Sequence, residues 1–285
     1  MEIGAQLAGA AVLTDRDGDT GKVAAVIEYD GTGYCGFQRQ ARERTVQAEL
    51  EEVLRRLTQL DCPVVGAGRT DSGVHARGQV VHFQPNWNHP LAELRQAMNA
   101  LLPADIAVRG IFRVTASFHA RHSALSRLYR YAVFNREHRS PFAARFAHQF
   151  SPPLDVEAMN QASKRLIGVH DFASFGQPPG VGHTVREVHV AQWWRQGQWV
   201  FFDIEANAFL RRMVRSLVGT LLLVGTGKMP PEEFGGVLAA RDRSLAGPTS
   251  PPHGLCLERV RYPDPWREIG GHMKSFCSLF GNEVP

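Results

Sequence analysis

The sequence predicts an α+β protein built from two β-α-β-β-α-β units in succession, on three observations. Between positions 22 and 114, four short extended runs enclose two segments with helical apolar spacing. The same order recurs between 125 and 261, without evident identity between the halves. Turn signals (Asp30-Gly31, Ser72-Gly73 and Gln196-Gly197) fall between the extended runs.

Residues 22–29 (KVAAVIEY) form the first strand, and a glycine-interrupted loop at 33–37 follows it. Thr45 offers an N-cap hydroxyl to a helix reaching residue 60, with Val46, Leu50, Val53, Leu54 and Leu57 on one face. Extended runs at 64–68 and 78–83 flank a loop. Pro90 opens a second helix, where its fixed φ suits the first turn, with Leu91, Leu94, Met98, Leu101 and Leu102 on one side. A strand at 106–114 completes a ferredoxin-like order.

The second unit opens with 125–134 (LSRLYRYAVF), which alternates Leu128 and Arg130 on one face with Tyr129 and Tyr131 on the other. Asp155 is placed to cap a helix carrying Val156, Met159 and Leu166. Residues 170–184, rich in Gly, Pro and polar side chains, read as a loop. The runs 185–194 and 199–206 form a hairpin turning at Gln196-Gly197. A long amphipathic helix over 210–225 has Leu210, Met213, Val214, Leu217, Val218 and Leu221 as its buried stripe. A short helix at 231–240 and a strand at 254–261 follow. The expected organisation is therefore halves at 22–118 and 119–264, with tails at 1–21 and 265–285. Two such units leave a cleft between them, a usual place for a site.

At 285 residues and 44% hydrophobic content the chain can bury one large core or two modest ones. No stretch approaches the roughly 18 consecutive apolar residues of a membrane span. The Ala-rich N-terminal run lacks a basic leader and precedes Asp15, Asp17 and Asp19, so it reads as a mobile tail and not a signal peptide. Cys35, Cys62, Cys256 and Cys277 show neither CxxC nor zinc spacing. They read as reduced thiols of a cytoplasmic protein, three of them packing as small apolar residues. His119 and His122 lie near each other, but nothing completes a metal set, and no metal is expected. Net charge is +4, and between 119 and 150 six arginines (Arg121, Arg127, Arg130, Arg136, Arg139, Arg145) face one acid, Glu137. With Arg39, Arg42 and Arg44 they form two clusters suited to bidentate phosphate contacts.

The chain is organised around residues 66–83, GAGRTDSGVHARGQVVHF. Gly66 and Gly68 allow a tight turn after a short strand, and Arg69 and Asp71 then stand two apart on the loop. From these residues alone Asp71 is equally a turn cap before Ser72-Gly73.

GRTDSGVHA followed by GQVVHF resembles the signature loop of the tRNA pseudouridine synthase A family. The resemblance implies two related halves that share one extended, mainly antiparallel mixed sheet, with the active cleft across it. It makes Asp71 the catalytic carboxylate and sets Tyr129, in RLYRY, against the target base, since every base presents a π-face. An Arg of FLRRMVR, Arg215 at the flank of the helical stripe, would keep that carboxylate ionised; Arg211 and Arg212 compete for the role. Arg69 would hold the backbone phosphate of the flipped nucleotide, and Leu210 and Leu255 would line the uracil pocket. Phe37 stands where members often carry Trp, which keeps an aromatic surface.

The implied reaction converts uridine to pseudouridine at positions 38, 39 and 40 of the tRNA anticodon stem-loop. No cofactor is implied, in keeping with the missing dinucleotide, P-loop and zinc motifs. Asp71 acts as nucleophile or as base at the ribose C2′, and the sequence leaves both open. Members are homodimers whose tRNA spans both subunits. Two rivals share parts of the pattern: a non-catalytic RNA-binding protein, opposed by the joint presence of Asp71, Tyr129 and Arg215, and a metal-dependent hydrolase, opposed by the lack of further carboxylates in the loop.

Overall fold

The computed structural model describes residues 21–177 and 182–270; the Ala-rich N-terminal run, Cys277 and 271–285 lie outside them. The first half runs β1 (Val23–Tyr29), α1 (Val46–Thr58), β2 (Val65–Gly66), β3 (His75–Phe83), α2 (Leu91–Leu101) and β4 (Ile106–Arg113). Thr45 caps α1, its hydroxyl accepting the Ala48 N–H, and the helix buries Val46, Leu50, Val53 and Leu54. The second half runs β5 (Ser126–Asn135), β6 (His148–Phe150), α3 (Val156–Ser163), β7 (Gly168–Asp171), β8 (Val185–Gln196), β9 (Trp199–Ala206), α4 (Met213–Gly225), α5 (Glu233–Ala240) and β10 (Leu255–Arg261). The Asp155 carboxylate caps α3, and the β8–β9 hairpin turns through Gly197 at φ +58°.

All strands join one sheet in the order β4-β1-β3-β10-β5-β9-β8-β7, with β2 on β3 and β6 on β5. Every pairing is antiparallel except β3 with β10 and β5 with β6. In each half the closing strand lies beside the opening one and the hairpin's second strand lies on its far side: β4-β1-β3 and β10-β5-β9. The halves meet at a seam where Cys256 and Leu257 of β10 face His75 and Ala76 of β3. That pairing explains why β3 starts at His75 and not at 78.

Three further departures have local causes. β6 and β7 have no alternation of their own and are held by neighbours, β6 along 133–135 and β7 along 185–188. The long helix starts at Met213, not at 210: Arg211 is bridged to Gln177, and Arg212 takes a left-handed φ of 63° that breaks the turn. Leu210 is therefore buried outside the helix. Nor is α4 buried on one stripe only. Ser216, Gly219 and Thr220 are buried too, because the segment 247–250 crosses the helix, and Gly225 is buried against Leu154 and Met159. A Cβ on Gly219 would lie 1.6 Å from the Pro248 carbonyl oxygen, and the Thr220 hydroxyl accepts the Gly247 N–H at 2.8 Å.

Beyond β10 the chain stays packed as far as Ile269, and the Trp266 ring meets Phe118 edge-on at 5.2 Å. Of the described cysteines only Cys62 is buried, which pushes its thiol up to about 11; Cys35 and Cys256 are half-buried.

Candidate active site

The loop between β2 and β3 lies at the seam and is clamped from three sides. Phe37 packs so closely that a Cβ on Gly66 would sit 2.6 Å from its ring, and its N–H donates to the Thr70 carbonyl at 3.1 Å. The Tyr34 carbonyl accepts both the Ser72 hydroxyl and the Gly73 N–H, at 3.2 Å each. Beneath the loop, buried Gln79 donates to the Gly68 carbonyl at 2.9 Å and accepts the Gly68 N–H at 3.3 Å. The Thr70 and Tyr29 hydroxyls share a hydrogen bond of 2.8 Å. Each bond satisfies a group that burial would otherwise penalise, so the loop has one conformation in which to present Asp71.

Asp71 meets Arg215. The guanidinium Nη1 lies 3.4 Å from Oδ2 of the carboxylate, with the two side chains 14% and 29% exposed. The same guanidinium donates through Nε to the Ser250 carbonyl at 2.7 Å, and the Ser250 N–H donates back to the Arg215 carbonyl at 3.0 Å. Tyr131 fixes the next carbonyl of this strap, its hydroxyl donating to Pro251 at 2.8 Å. Of the three candidate arginines, then, the structure brings Arg215 to the carboxylate, whereas Arg211 and Arg212 are exposed before α4.

Tyr129 lies on β5 between β10 and β9, buried, with its ring edge-on to Phe209 at 5.1 Å. Its hydroxyl points toward Gly68, 3.8 Å from where a Cβ there would stand. Among the described residues no hydrogen bond reaches that hydroxyl, in contrast to the hydroxyl of Tyr131. Burial pushes the phenol well above its ordinary value; Arg127 opposes the rise and the Asp71 charge adds to it. Arg69 is exposed at the rim. Leu210 and Leu255 are buried in the main core, Leu210 against Gly176 and Leu255 across from Tyr131.

The arginine clusters are only partly available for phosphate. Arg127 is buried, Arg130 pairs with Asp203, and Arg145 pairs with Asp30. In the other cluster Arg39 pairs with Glu51, and Arg44 with Glu49 and Asp105. The acids paired with Arg130 and Arg145, and one of the two on Arg44, are 61 or more residues away, which spacing along the chain does not reveal. Sequence reasoning likewise missed Gln79, Tyr29 and Ser250, which support the site from elements that look ordinary in isolation. Among the described residues no group of three or more His, Cys, Asp or Glu could hold a metal, and no helix is long and apolar enough to cross a membrane.

Residues 25–123 and 162–263 match a family model described as tRNA pseudouridine synthase, spans that take in Asp71 and Arg215. The chain belongs to the tRNA pseudouridine synthase family. A tRNA pseudouridine synthase A from Syntrophotalea carbinolica is 45% identical over 241 residues, covering 84% of this chain and 96% of that protein. Proteins of the same name from Haemophilus ducreyi and Halalkalibacterium halodurans are 46% and 44% identical, covering 93% and 91% of their own lengths and 85% and 84% of this chain. This member of the synthase family carries Tyr129 in the stretch between the two matched spans.

Proposed function

We propose that this protein isomerises uridine to pseudouridine at positions 38, 39 and 40 of the tRNA anticodon stem-loop, with Asp71 as the catalytic carboxylate and no cofactor. One observation carries the reading: in a chain of this family, the carboxylate of the seam loop is paired with Arg215 beside Tyr129. The C1′–N1 bond breaks, the uracil turns, and a C1′–C5 bond forms while C5 loses a proton and N1 gains one. Asp71 serves as nucleophile or as base at C2′, and Arg215, 3.4 Å away, holds its carboxylate in place.

Taking the base out of the stack is costly, and phosphate contacts with base stacking offset the cost. Arg69 is assigned to the phosphate of the extruded nucleotide, Tyr129 to the base, and Leu210 and Leu255 to the uracil pocket. Three adjacent target positions call for recognition of shape and phosphates in place of base edges. We further propose a homodimer with the tRNA across both subunits, acting in the cytoplasm.

The test uses unmodified tRNA tritiated at uridine C5. Wild type is expected to release tritium without added metal, and Asp71→Asn to release almost none. Equal release from both would remove Asp71 from the mechanism. Substrates keeping a single uridine at 38, 39 or 40 check the position, and sedimentation checks the dimer.

A further inference from the structure

Arg127 is 8% exposed, two residues before Tyr129 on β5, and among the described residues its guanidinium bonds only to backbone carbonyls. Its Nη2 donates to Ala67 at 3.0 Å and to Arg121 at 2.6 Å. Its Nη1 donates to Asn207 at 2.7 Å and to Ala124 at 3.4 Å. A buried cation without a carboxylate is tolerated only where such acceptors surround it. One side chain therefore ties together the loop that carries Arg69 and Asp71, the 119–124 turn, and the segment that leads through Arg211 to α4.

The 119–124 turn is held from its other side too. The Ala120 N–H donates to His82 Nδ1 at 3.1 Å, and the Ala120 carbonyl accepts the Tyr262 hydroxyl at 2.6 Å. The N–H groups of Arg121 and His122 donate to His119 Nδ1 at 3.2 Å each. On this fixed turn Arg121 is half-buried, and it pairs with no carboxylate among the described residues. Burial, and then the Arg69 charge, push its guanidinium below the ordinary value. Arg127 Nη2 holds the Arg121 carbonyl and the Ala67 carbonyl, two residues before Arg69, so the two arginines lie within each other's field. Like charges held together by the fold create a potential that favours a polyanion.

We propose that Arg127 is a positioning residue for tRNA, locking Arg121 beside Arg69 so that both guanidinium groups grip neighbouring phosphates around the nucleotide delivered to Asp71. This rests on the reading of the protein as a tRNA pseudouridine synthase. The test is a double-mutant cycle read in the binding of unmodified tRNA at several salt concentrations, with wild type, Arg121→Gln, Arg127→Lys and the double variant. A lysine keeps the charge but has one compact head and cannot span carbonyls on three segments.

Loss of one phosphate contact flattens the slope of log K against log salt by about 0.7 to 0.9. Arg121→Gln is expected to flatten it by that amount, and Arg127→Lys to do nearly the same although no charge is lost. The double variant should add little to either. A residue that only supports the fold would lower Tm and leave the slope alone, so a wild-type slope in Arg127→Lys, or additive losses, overturns the proposal. Should Arg127→Lys fail to fold, Arg121→Gln decides: a flattened slope supports the clamp and an unchanged one overturns it. Failure of the synthase reading would show separately, as wild-type protein that binds tRNA and releases no tritium from C5.

Discussion

Arg215 holds two groups with one planar side chain, the Ser250 carbonyl through Nε and Asp71 through Nη1. The ion pair is partly exposed and reaches 3.4 Å, so its Coulombic worth is small and screened. Its value lies in aiming the carboxylate. Arg215→Lys keeps the charge but loses the planar fork that aims separate N–H groups at the two acceptors. We expect kcat to fall by about 10²-fold, the penalty typical of a misplaced reacting group, with KM for tRNA little changed. Single-turnover tritium release at saturating tRNA checks this, and a kcat within twofold of wild type would refute it. The two tyrosines near the loop separate in the same way. The Tyr29 hydroxyl is bonded to the buried Thr70 hydroxyl, so Tyr29→Phe leaves an unsatisfied group and should cost about 1–3 kcal/mol in urea unfolding. Among the described residues the Tyr129 hydroxyl has no such partner. Tyr129→Phe should therefore change stability by no more than about 0.5 kcal/mol and retain tritium release, if it is the ring that meets the base.

At the scale of elements, α4 and the 247–250 strap form one device, because Ser250 aligns Arg215 only while the strap lies flat on the helix. Gly219 allows that contact. A Cβ there would stand 1.6 Å from a backbone oxygen, which no side-chain rotation relieves. Gly219→Ala should lower stability by about 1–3 kcal/mol or more through overpacking, and tritium release should fall with it. Gly236 in α5 is the control, since a Cβ there meets nothing within 4 Å. Gly236→Ala should stabilise by about 0.5–1 kcal/mol from helix propensity alone. Chemical denaturation of both variants reads the opposite signs, and equal effects would remove the strap argument. The same elements show what the sequence can reveal. The caps at Thr45 and Asp155 and the turn at Gly197 are legible because each rests on chemistry within a few residues. The start of α4 is not, since Leu210 obeys helical spacing while a bridge from Arg211 to distant Gln177 decides the break. At the site, the loop motif points to Asp71, while FLRRMVR leaves Arg211 and Arg212 competing with Arg215. Arg127, by contrast, reads as one more surface cation until folding buries it among carbonyls.

Across the whole molecule, the seam and the turns around it depend on neutral histidines. His75 Nδ1 accepts the Gly31 N–H at 3.0 Å, which leaves Nε2 to donate to the His253 carbonyl at 3.2 Å. His82 Nδ1 accepts the Ala120 N–H in the turn that carries Arg121. Burial pushes His82 and His148 down to about 4, and it is also the main cause that lowers His75, His119 and His253. In the unfolded chain these groups bind protons as pH falls through about 6.5, while in the fold they stay neutral until a lower pH. The unfolded state therefore holds more protons in that window, so stability falls on acidification from about 6.5 toward 4 and is insensitive to these groups above it. Glu258 works the other way, because burial raises it and the fold gains stability when it protonates, but it is one group against five. We expect Tm by circular dichroism to be flat above about pH 7 and to drop steadily below about 6.5. In His82→Asn an amide oxygen can accept the Ala120 N–H without titrating, so that variant should show a shallower drop. A Tm that holds or rises between pH 6.5 and 4 would mean that these rings are already charged in the fold. The hydrogen bonds assigned to their Nδ1 atoms at the seam would then be absent in solution.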